Sequence, residues 1–355
     1  MIHDDHAGSR EACTAVDFLR APEMTPHTPD SLLALARNFM ESRVLLTGAE
    51  LDLFTLLAAG PLELDEIVSK TGADRRALEM LLDALAAQGL LVKEGARWRT
   101  EPSVAPYLVE GEKDSVLPMV LHAANLWSRW SDLTRKVVPG LAGAAGPEFL
   151  EAFIGAMHVV AARQADQIVA AVGAGRARRL LDVGGASGTY TLAFLRADPG
   201  MTATLFDRPP VVEMARVRLG EAGVLPRVTL AGGDFAIDPL PPGHDLAFVS
   251  AIIHQNSPAE NVALYTRIHE ALVPGGRVVI RDHVMHPDRT RPRAGALFAI
   301  NMLVGTAGGR TYTFDEIAVG LTWAGFERVR LIQAGEKMDA LVEAFKAPGS
   351  LPAAR

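Results

Sequence analysis

One stretch organises the chain: residues Arg179–Leu195, which read RLLDVGGASGTYTLAFL. The apolar run Leu180–Val183 predicts a short buried strand, the glycines within Gly184–Gly188 predict a tight turn, and Thr189 opens an apolar helix. A strand, a glycine turn and a helix in this order allow a ligand to lie against bare backbone at a helix N-terminus. The stretch therefore predicts an α/β domain with a ligand site at this turn.

The common dinucleotide-binding pattern does not fit the turn. The spacing G-x-G-x-x-G, started at Gly184, requires glycines where Ala186 and Thr189 stand. This disfavours a nicotinamide or flavin dinucleotide. An ordinary strand-to-helix turn of some other α/β protein is the alternative that the stretch alone leaves open.

Length and composition narrow the class of protein. The 355 residues favour two domains, and the formal charge of −7 argues against a polyanionic partner. With no bilayer-length apolar run and no secretory leader at its start, the chain is expected to be soluble and cytoplasmic. The single cysteine, Cys13, excludes a disulfide framework and fits a reducing compartment. Residues 1–30, which carry three prolines, are expected to form a flexible extension.

The next eighty residues predict a winged-helix module. A capped start at Thr28–Ser31 leads into an apolar helical pattern over residues 32–57, followed by a helix at Leu64–Thr71 and another capped by Asp74. The segment Gly89–Arg99 then reads as a strand, a turn and a strand, like the wing of such a module.

The charge pattern of this module does not favour nucleic acid. The helix after Asp74, which would have to enter a DNA groove, sets Glu79 and Asp83 against Arg75 and Arg76 and has no basic cluster. The long first helix has more apolar surface than a small module can bury, so we expect it to pack against a second copy of the chain. The prediction is a homodimer.

Residues 111–172 predict a helical connector. Its last helix is expected over Phe149–Val172 and leads into the glycine turn. Phe153 and Met157, four residues apart, share one face of that helix. Because this helix directly precedes the first strand, that face can close one side of a pocket.

From Arg179 onward, strands and helices alternate, which predicts a mostly parallel sheet covered on both faces. The predicted strands are Leu180–Val183, Thr202–Phe206, Val228–Leu230, Leu246–Ser250 and Arg277–Asp282, with a late antiparallel pair near Arg328–Ala334. The predicted helices are Thr189–Ala197, Val211–Ala222, Asn261–Leu272 and Thr313–Ala324.

Polar residues are predicted at the carboxyl ends of these strands, where open parallel sheets bind their ligands. They come from five strands: Asp182 with Gly184 and Gly188, Asp207, Asp234, residues 250–254, and Asp282 with His283. Core packing gives no reason for this convergence, so it predicts a site. For Asp234 alone, a turn-capping role is an equal alternative.

His254 is the candidate for chemistry. An imidazole with a pKa near neutrality is a natural base for removing a proton from a hydroxyl, and Asp282 at the neighbouring strand end can orient it. A surface histidine is the alternative. His283 and His286 are three residues apart in an extended segment and so point to opposite sides, which disfavours a metal site.

Four ordered motifs now form a pattern: DVGG at Asp182–Gly185, FDRP at Phe206–Pro209, GGDF at Gly232–Phe235 and LVPGGR at Leu272–Arg277. Over about residues 30–345 the chain resembles the two-domain class I S-adenosylmethionine (SAM)-dependent O-methyltransferases of the caffeate and acetylserotonin type, including their bacterial antibiotic-tailoring branch. The resemblance implies an α/β, Rossmann-like SAM methyltransferase domain with a helical winged-helix dimerisation domain before it. The expected segments are an extension (1–30), the dimerisation domain (31–110), the connector and pocket wall (111–172), the catalytic domain (173–345) and a tail (346–355).

The same resemblance implies roles for individual residues. The cofactor SAM is expected to contact Asp182, Gly184, Gly185, Gly188, Asp207, Arg208, Asp234, Phe235 and Ser250. Within that set, Asp207 takes the ribose hydroxyls, and Asp234 and Phe235 hold the adenine region. His254 is the general base and Asp282 orients it. The small-molecule acceptor is expected against Phe153, Met157, Asn256, Met302 and Thr306. No metal, nucleic acid or membrane is implied.

Five positions depart from the family pattern. The chain has His254-Gln255-Asn256 where the family commonly has His-Asp-Trp, and Thr311 where a second acid flanks the base. Ser250 replaces a frequent lysine near the cofactor. Ala186 replaces a third glycine, which is tolerable if its φ is negative.

Three other functions stay open on sequence grounds. One is methyl transfer to sulfur or carbon, for which a thioether acceptor needs no base. Another is a winged-helix regulator that senses a ligand. The last is a catalytically silent SAM-binding protein, because Gln255 and Thr311 depart from the family pattern near the base.

Overall fold

The structure is a computed structural model that describes residues 26–138, 154, 158, 161–173, 175 and 177–348. Packing divides the chain between Ser42 and Arg43, so the residues before and after that point are described as separate units. The predicted wall residues Phe153 and Met157 lie outside the described residues, as do Cys13 and the tail beyond residue 348.

The described chain combines helices and strands throughout its length. The helices are α1 (Pro29–Glu50), α2 (Leu53–Ala58), α3 (Leu64–Thr71), α4 (Arg75–Ala87), α5 (Ala105–Leu108), α6 (Leu117–Ser131), α7 (Leu133–Val137), α8 (Ala165–Val172), α9 (Thr189–Ala197), α10 (Pro209–Glu221), α11 (Pro258–Ala271), α12 (Arg293–Gly305) and α13 (Phe314–Trp323). The strands are β1 (Leu62–Glu63), β2 (Leu91–Glu94), β3 (Arg97–Thr100), β4 (Arg179–Val183), β5 (Thr202–Asp207), β6 (Val228–Gly232), β7 (His244–Ser250), β8 (Leu272–Asp282), β9 (Val284–Met285), β10 (Tyr312–Thr313), β11 (Phe326–Gln333) and β12 (Ala340–Lys346).

The N-terminal module is largely as predicted. Helix α3 has the predicted bounds, and the Asp74 carboxylate caps α4 by accepting the Ala77 N–H at 2.8 Å. Strands β2 and β3 pair antiparallel as the wing, and β1 adds a third strand. The predicted first helix is broken, however. It ends at Glu50, and Asp52 takes a left-handed conformation (φ 50°) before α2 begins.

Helix α4, the position of a recognition helix in DNA-binding proteins of this architecture, is covered on one side. Helix α12 packs against it, and Leu297 and Ile300 join the core of the module. Its basic residues are engaged: Arg75 pairs with Asp65, and Arg76 donates to the carbonyl of Gly309. This arrangement gives α4 a packing role.

The C-terminal part forms a seven-stranded sheet in the order β11-β12-β8-β7-β4-β5-β6. The five strands from β6 to β8 are parallel, and β12 and β11 add antiparallel at one edge. The five predicted parallel strands are confirmed, although β8 begins earlier, at Leu272. Two helices differ from prediction. Helix α12 was not predicted, and the expected helix up to Val172 is interrupted by a turn at residues 163–164 before α8.

The sheet has a distinct apolar core on each face because successive side chains alternate. One core packs β-strand residues such as Val183, Val249 and Ile280 against α11 and α13. The other packs Leu180, Phe248 and their neighbours against α8, α9 and α10. Among the described residues, no helix is long and apolar enough to cross a membrane.

Candidate active site

The glycine turn after β4 is packed too closely for side chains. A Cβ added at Gly184 (φ 68°) would lie 2.5 Å from Ile252, and one at Gly185 would lie 2.7 Å from Leu205. Ala186 departs from expectation. From the sequence, alanine is expected to be tolerated here if its φ is negative, but its φ is +47°. The residue is therefore held in the left-handed region that L-residues avoid.

Asp182 lies beneath this turn. Its side chain is buried and accepts a 2.6 Å hydrogen bond from Thr191 in the first turn of α9. Burial raises the pKa of Asp182 to about 6, although the bond from Thr191 opposes the rise. The carboxylate therefore joins β4 to α9 and supports the turn from below.

Asp207 ends the neighbouring strand β5 and faces the same turn. It is 9% exposed, and its two oxygens accept the backbone N–H groups of Ala186 (2.9 Å) and Arg208 (2.7 Å). Burial raises the pKa of Asp207, and the two backbone donors oppose this. The Arg208 side chain is exposed, so only its backbone takes part in these contacts.

The loop after β6 brings a third group to the turn. The ring of Phe235 lies 3.7 Å from where a Cβ of Gly184 would stand. Asp234 forms a local turn: its Oδ1 accepts the N–H of Ala236 at 2.8 Å. One carboxylate oxygen of Asp234 thus has the turn-capping role. The second oxygen of this half-buried side chain takes no part in that hydrogen bond.

His254 and Asp282 meet at the ends of β7 and β8. His254 Nδ1 lies 2.9 Å from both Oδ1 and Oδ2 of Asp282, and both residues are buried. Burial alone would raise the pKa of Asp282, but His254 and the backbone N–H of His283 hold it below its usual value. An ionised Asp282 accepts a hydrogen bond from Nδ1–H, and in a neutral imidazole this tautomer has its lone pair on Nε2.

The backbone around His254 is fixed from several directions. Its carbonyl accepts the N–H of Arg310 at 2.8 Å, and Asn261 Nδ2 donates to the carbonyl of Ile253 at 2.9 Å. The predicted acceptor contact Asn256 donates to Asn261 Oδ1 at 3.1 Å. The ring of Phe298, on α12, packs edge to face against the His254 imidazole, with the ring centroids 4.8 Å apart.

The remaining predicted acceptor residues lie near this histidine loop. Met302 is buried on α12. The Thr306 hydroxyl donates to the carbonyl of Met302 at 2.7 Å and accepts from the N–H of Gly309 at 2.9 Å. It therefore holds the loop in place, and its donor and one acceptor position are already used.

The remaining positions singled out by the sequence are Thr311, His283 and His286. Thr311 is buried, and its carbonyl accepts from Arg289. His283 is buried against Phe298, whereas His286 is exposed and pairs with Asp288. Within the part of the chain that the structure describes, no group of three or more His, Cys, Asp or Glu side chains is placed to hold a metal ion.

Two residues beside the candidate site were not predicted from the sequence. Phe298 belongs to the unpredicted helix α12. Arg281 lies within a predicted strand and is 3% exposed, with Nη1 donating to Ser250 Oγ at 3.0 Å. A charged residue inside an apolar strand run was the available signal.

These residues fit a nucleoside-bearing methyl donor. Asp207 is buried at a strand end, and within the described ranges its oxygens accept only backbone N–H groups, which leaves lone pairs for two further hydroxyl donors such as those of a ribose. Gly184 and Gly185 keep the adjacent backbone bare, and Phe235 offers an apolar ring beside it.

Two family models match this chain. Residues 141–327 match the family model described as the O-methyltransferase domain, and residues 33–109 match the O-methyltransferase dimerisation domain. The chain belongs to the O-methyltransferase family. As a member of that family it is a SAM-dependent O-methyltransferase.

Individual relatives support this membership over most of their length. The tetracenomycin polyketide synthesis 8-O-methyl transferase TcmO of Streptomyces glaucescens is 35% identical over 86% of this chain and 95% of its own. The 3-hydroxy-5-methyl-1-naphthoate 3-O-methyltransferase of Streptomyces sahachiroi is 32% identical over 86% of this chain and 91% of its own. The crystal structure of a family 2 O-methyltransferase from Planctomyces limnophilus in complex with apigenin is 26% identical, with a TM-score of 0.77 over 91% of this chain and 97% of that one.

Proposed function

We propose that this O-methyltransferase moves a methyl group from SAM to a hydroxyl of a flat aromatic small molecule, with His254 as the general base. The hydrogen bonding of His254 Nδ1 to both oxygens of Asp282 carries the proposal, because it leaves Nε2 with the lone pair. When bound, SAM supplies an electrophilic methyl group. The protein aligns the acceptor oxygen and removes its proton.

The aromatic acceptor is proposed from the relatives and from the site. Two relatives are named for polyketide and naphthoate substrates, and a structural relative binds apigenin. In this chain the side chains around the base include Phe298 and Met302, which suit a flat apolar ring. We propose that the acceptor also contacts Phe153, Met157, Asn256 and Thr306.

The roles of the donor-binding residues are proposed in the same way. Asp207 binds the ribose hydroxyls, Asp234 and Phe235 hold the adenine region, and Ser250 contacts the donor. Gly184, Gly185 and Gly188 provide the bare backbone, while Asp182 and the backbone of Arg208 shape the turn.

The test of the base is a labelled-methyl assay on phenolic acceptors, together with calorimetric titration of S-adenosylhomocysteine (SAH). His254→Ala is expected to lower kcat by about 10²- to 10⁴-fold, as general-base removal usually does, with SAH affinity unchanged. Asp282→Asn is expected to lower kcat by up to about 10⁴-fold, because its amide donates to Nδ1 and favours the wrong tautomer. The matched control His286→Ala removes an exposed imidazole and should behave as wild type.

The acidity of the acceptor separates a base from a structural role. A more acidic phenol needs less help in losing its proton, so the loss caused by His254→Ala should shrink as the acceptor pKa falls. Full activity of His254→Ala on all phenols would overturn the assignment of His254 as the general base. Asp207→Asn should weaken SAH binding by about 10²-fold, and unchanged affinity would mean that the donor lies elsewhere.

We also propose that the chain is a homodimer built through its N-terminal domain, with segment boundaries at residues 30, 110, 172 and 345. The match of residues 33–109 to the dimerisation domain supports this, as do the exposed side chains of Leu35 (62%) and Phe39 (52%) on α1. Sedimentation equilibrium should give a dimer for the wild type, and Leu35→Glu with Phe39→Glu should give a folded monomer. A wild-type monomer at micromolar concentration would contradict the proposal.

A further inference from the structure

A buried arginine lies close to the glycine turn with most of its hydrogen-bonding capacity unused. Arg281 is 3% exposed. Its Nη1 donates to Ser250, whereas Nε and Nη2 are buried and have no hydrogen-bond partner among the described residues. The part of the chain that the structure describes contains no ion pair to this guanidinium. A buried charge left in this way is costly unless something compensates it.

The nearby acids are already engaged. Asp282 is next in sequence, but its side chain lies on the opposite face of the sheet and accepts from His254 and from the N–H of His283. The charge of Asp339 raises the pKa of Arg281 without forming an ion pair with it among the described residues. Its Oδ1 accepts the backbone N–H of Lys337 at 3.0 Å. Burial lowers the pKa of Arg281, the direction expected for a cation without a close anion.

The location of Arg281 relates it to the donor site. Ser250 and Arg281 are register partners on β7 and β8, on the face of the sheet that carries α9. The guanidinium lies over the ring of Tyr190, the second residue of α9, at 5.3 Å from the ring centroid. Val183 pairs with Val249, so Gly184 and Ser250 are the next residues along adjacent strands. Arg281 therefore lies at the same edge of the sheet as the turn, with β7 between them, on the face opposite to Asp282 and its histidine partner.

We propose that Arg281 provides the counter-charge for the α-carboxylate of SAM. The α-carboxylate is the one anionic group of the donor, whose sulfonium and ammonium groups would be repelled by a guanidinium. A buried, under-bonded cation beside the donor site matches that group alone. The proposal concerns donor binding only and does not depend on the acceptor or on His254.

The experiment compares two probes that differ by one group: SAH and its decarboxylated analogue, which retains the amine. Titrations of the apo full-length chain use Arg281→Met, which keeps most of the side-chain length without the charge, and Arg281→Lys, which retains a charge. Arg281→Met is expected to weaken SAH binding by about 10- to 100-fold and to change the affinity of the decarboxylated analogue by less than about 3-fold. Arg281→Lys should lie between Arg281→Met and wild type for SAH.

A merely structural arginine gives a different result. Equal losses for both probes, or no loss for either, would overturn the proposal. Two further measurements guard against misfolding. Removing an uncompensated buried charge should raise the urea midpoint of apo Arg281→Met, and adding Ser250→Lys to that variant should restore preference for SAH, because positions 250 and 281 are register partners. A lowered midpoint combined with loss of both probes would likewise refute it.

Discussion

Asp182→Asn tests whether burial beneath the glycine turn disfavours the ionised form of the Asp182 carboxyl group. Asp182 is 2% exposed, and burial raises its pKa from 3.8 to about 6. Over the pH range between these values, the folded chain retains a proton that the unfolded chain has released. Asp182 therefore makes its own contribution to the pH dependence of the protein's stability.

The sign and size follow from the two pKa values. Because the folded pKa is the higher one, the stabilisation from protonated Asp182 is fully present below about pH 3.8 and is lost as the pH rises through about 6. At about 1.4 kcal/mol per pH unit, the difference between 3.8 and about 6 corresponds to about 3 kcal/mol. Asparagine has the same shape and does not titrate. The free energy of unfolding of wild type minus that of Asp182→Asn should thus fall by about 2 kcal/mol between about pH 4 and pH 7.

Urea unfolding of both proteins at half-unit pH steps measures this difference. Thr191→Val supplies a second check, because it removes the hydroxyl donor that lowers the Asp182 pKa and should shift the transition to higher pH. The exposed Asp114→Asn is the matched control and should leave the pH dependence of wild type unchanged. A difference between wild type and Asp182→Asn that stays constant across this range would refute the reasoning.

Two further changes have defined outcomes. Lys93→Met removes the charged partner of the buried Asp83, to which Lys93 Nζ donates at 2.7 Å, and should lower the free energy of unfolding in urea at neutral pH by about 3–5 kcal/mol. Adding Asp83→Asn should recover part of that loss. No loss of stability in Lys93→Met would show that the pair is not held as described. Ala186→Gly should raise the free energy of unfolding by about 0.5–1 kcal/mol, since relief of the left-handed conformation (φ +47°) outweighs the added freedom of the unfolded chain. A lower stability for the glycine variant would mean that this conformation carries little strain.

Much of the fold could be predicted because its signals are local. Strand β4, the glycine turn and α9 follow from an apolar run, turn residues and helical spacing within seventeen residues. The meeting of His254 with Asp282 was also predictable, because the carboxyl ends of adjacent parallel strands share one edge. Helix α12 escaped prediction. Its sequence is apolar nearly all round and has no side-chain cap, so neither periodicity nor a start signal identified it.

The sequence by itself determined the order of strands and helices, the bare turn and the set of polar residues at the strand ends, because apolar spacing and turn chemistry act over a few residues. Only the tertiary structure decided which partner each polar group has. Asp282 meets a histidine, while Arg281, one residue earlier, points to the other face and, in the part of the chain that the structure describes, leaves two of its three guanidinium nitrogens without a hydrogen bond. The positive φ of Ala186 and the covering of α4 by α12 were decided in the same way. These outcomes depend on contacts between segments far apart in the chain, and no local pattern encodes them.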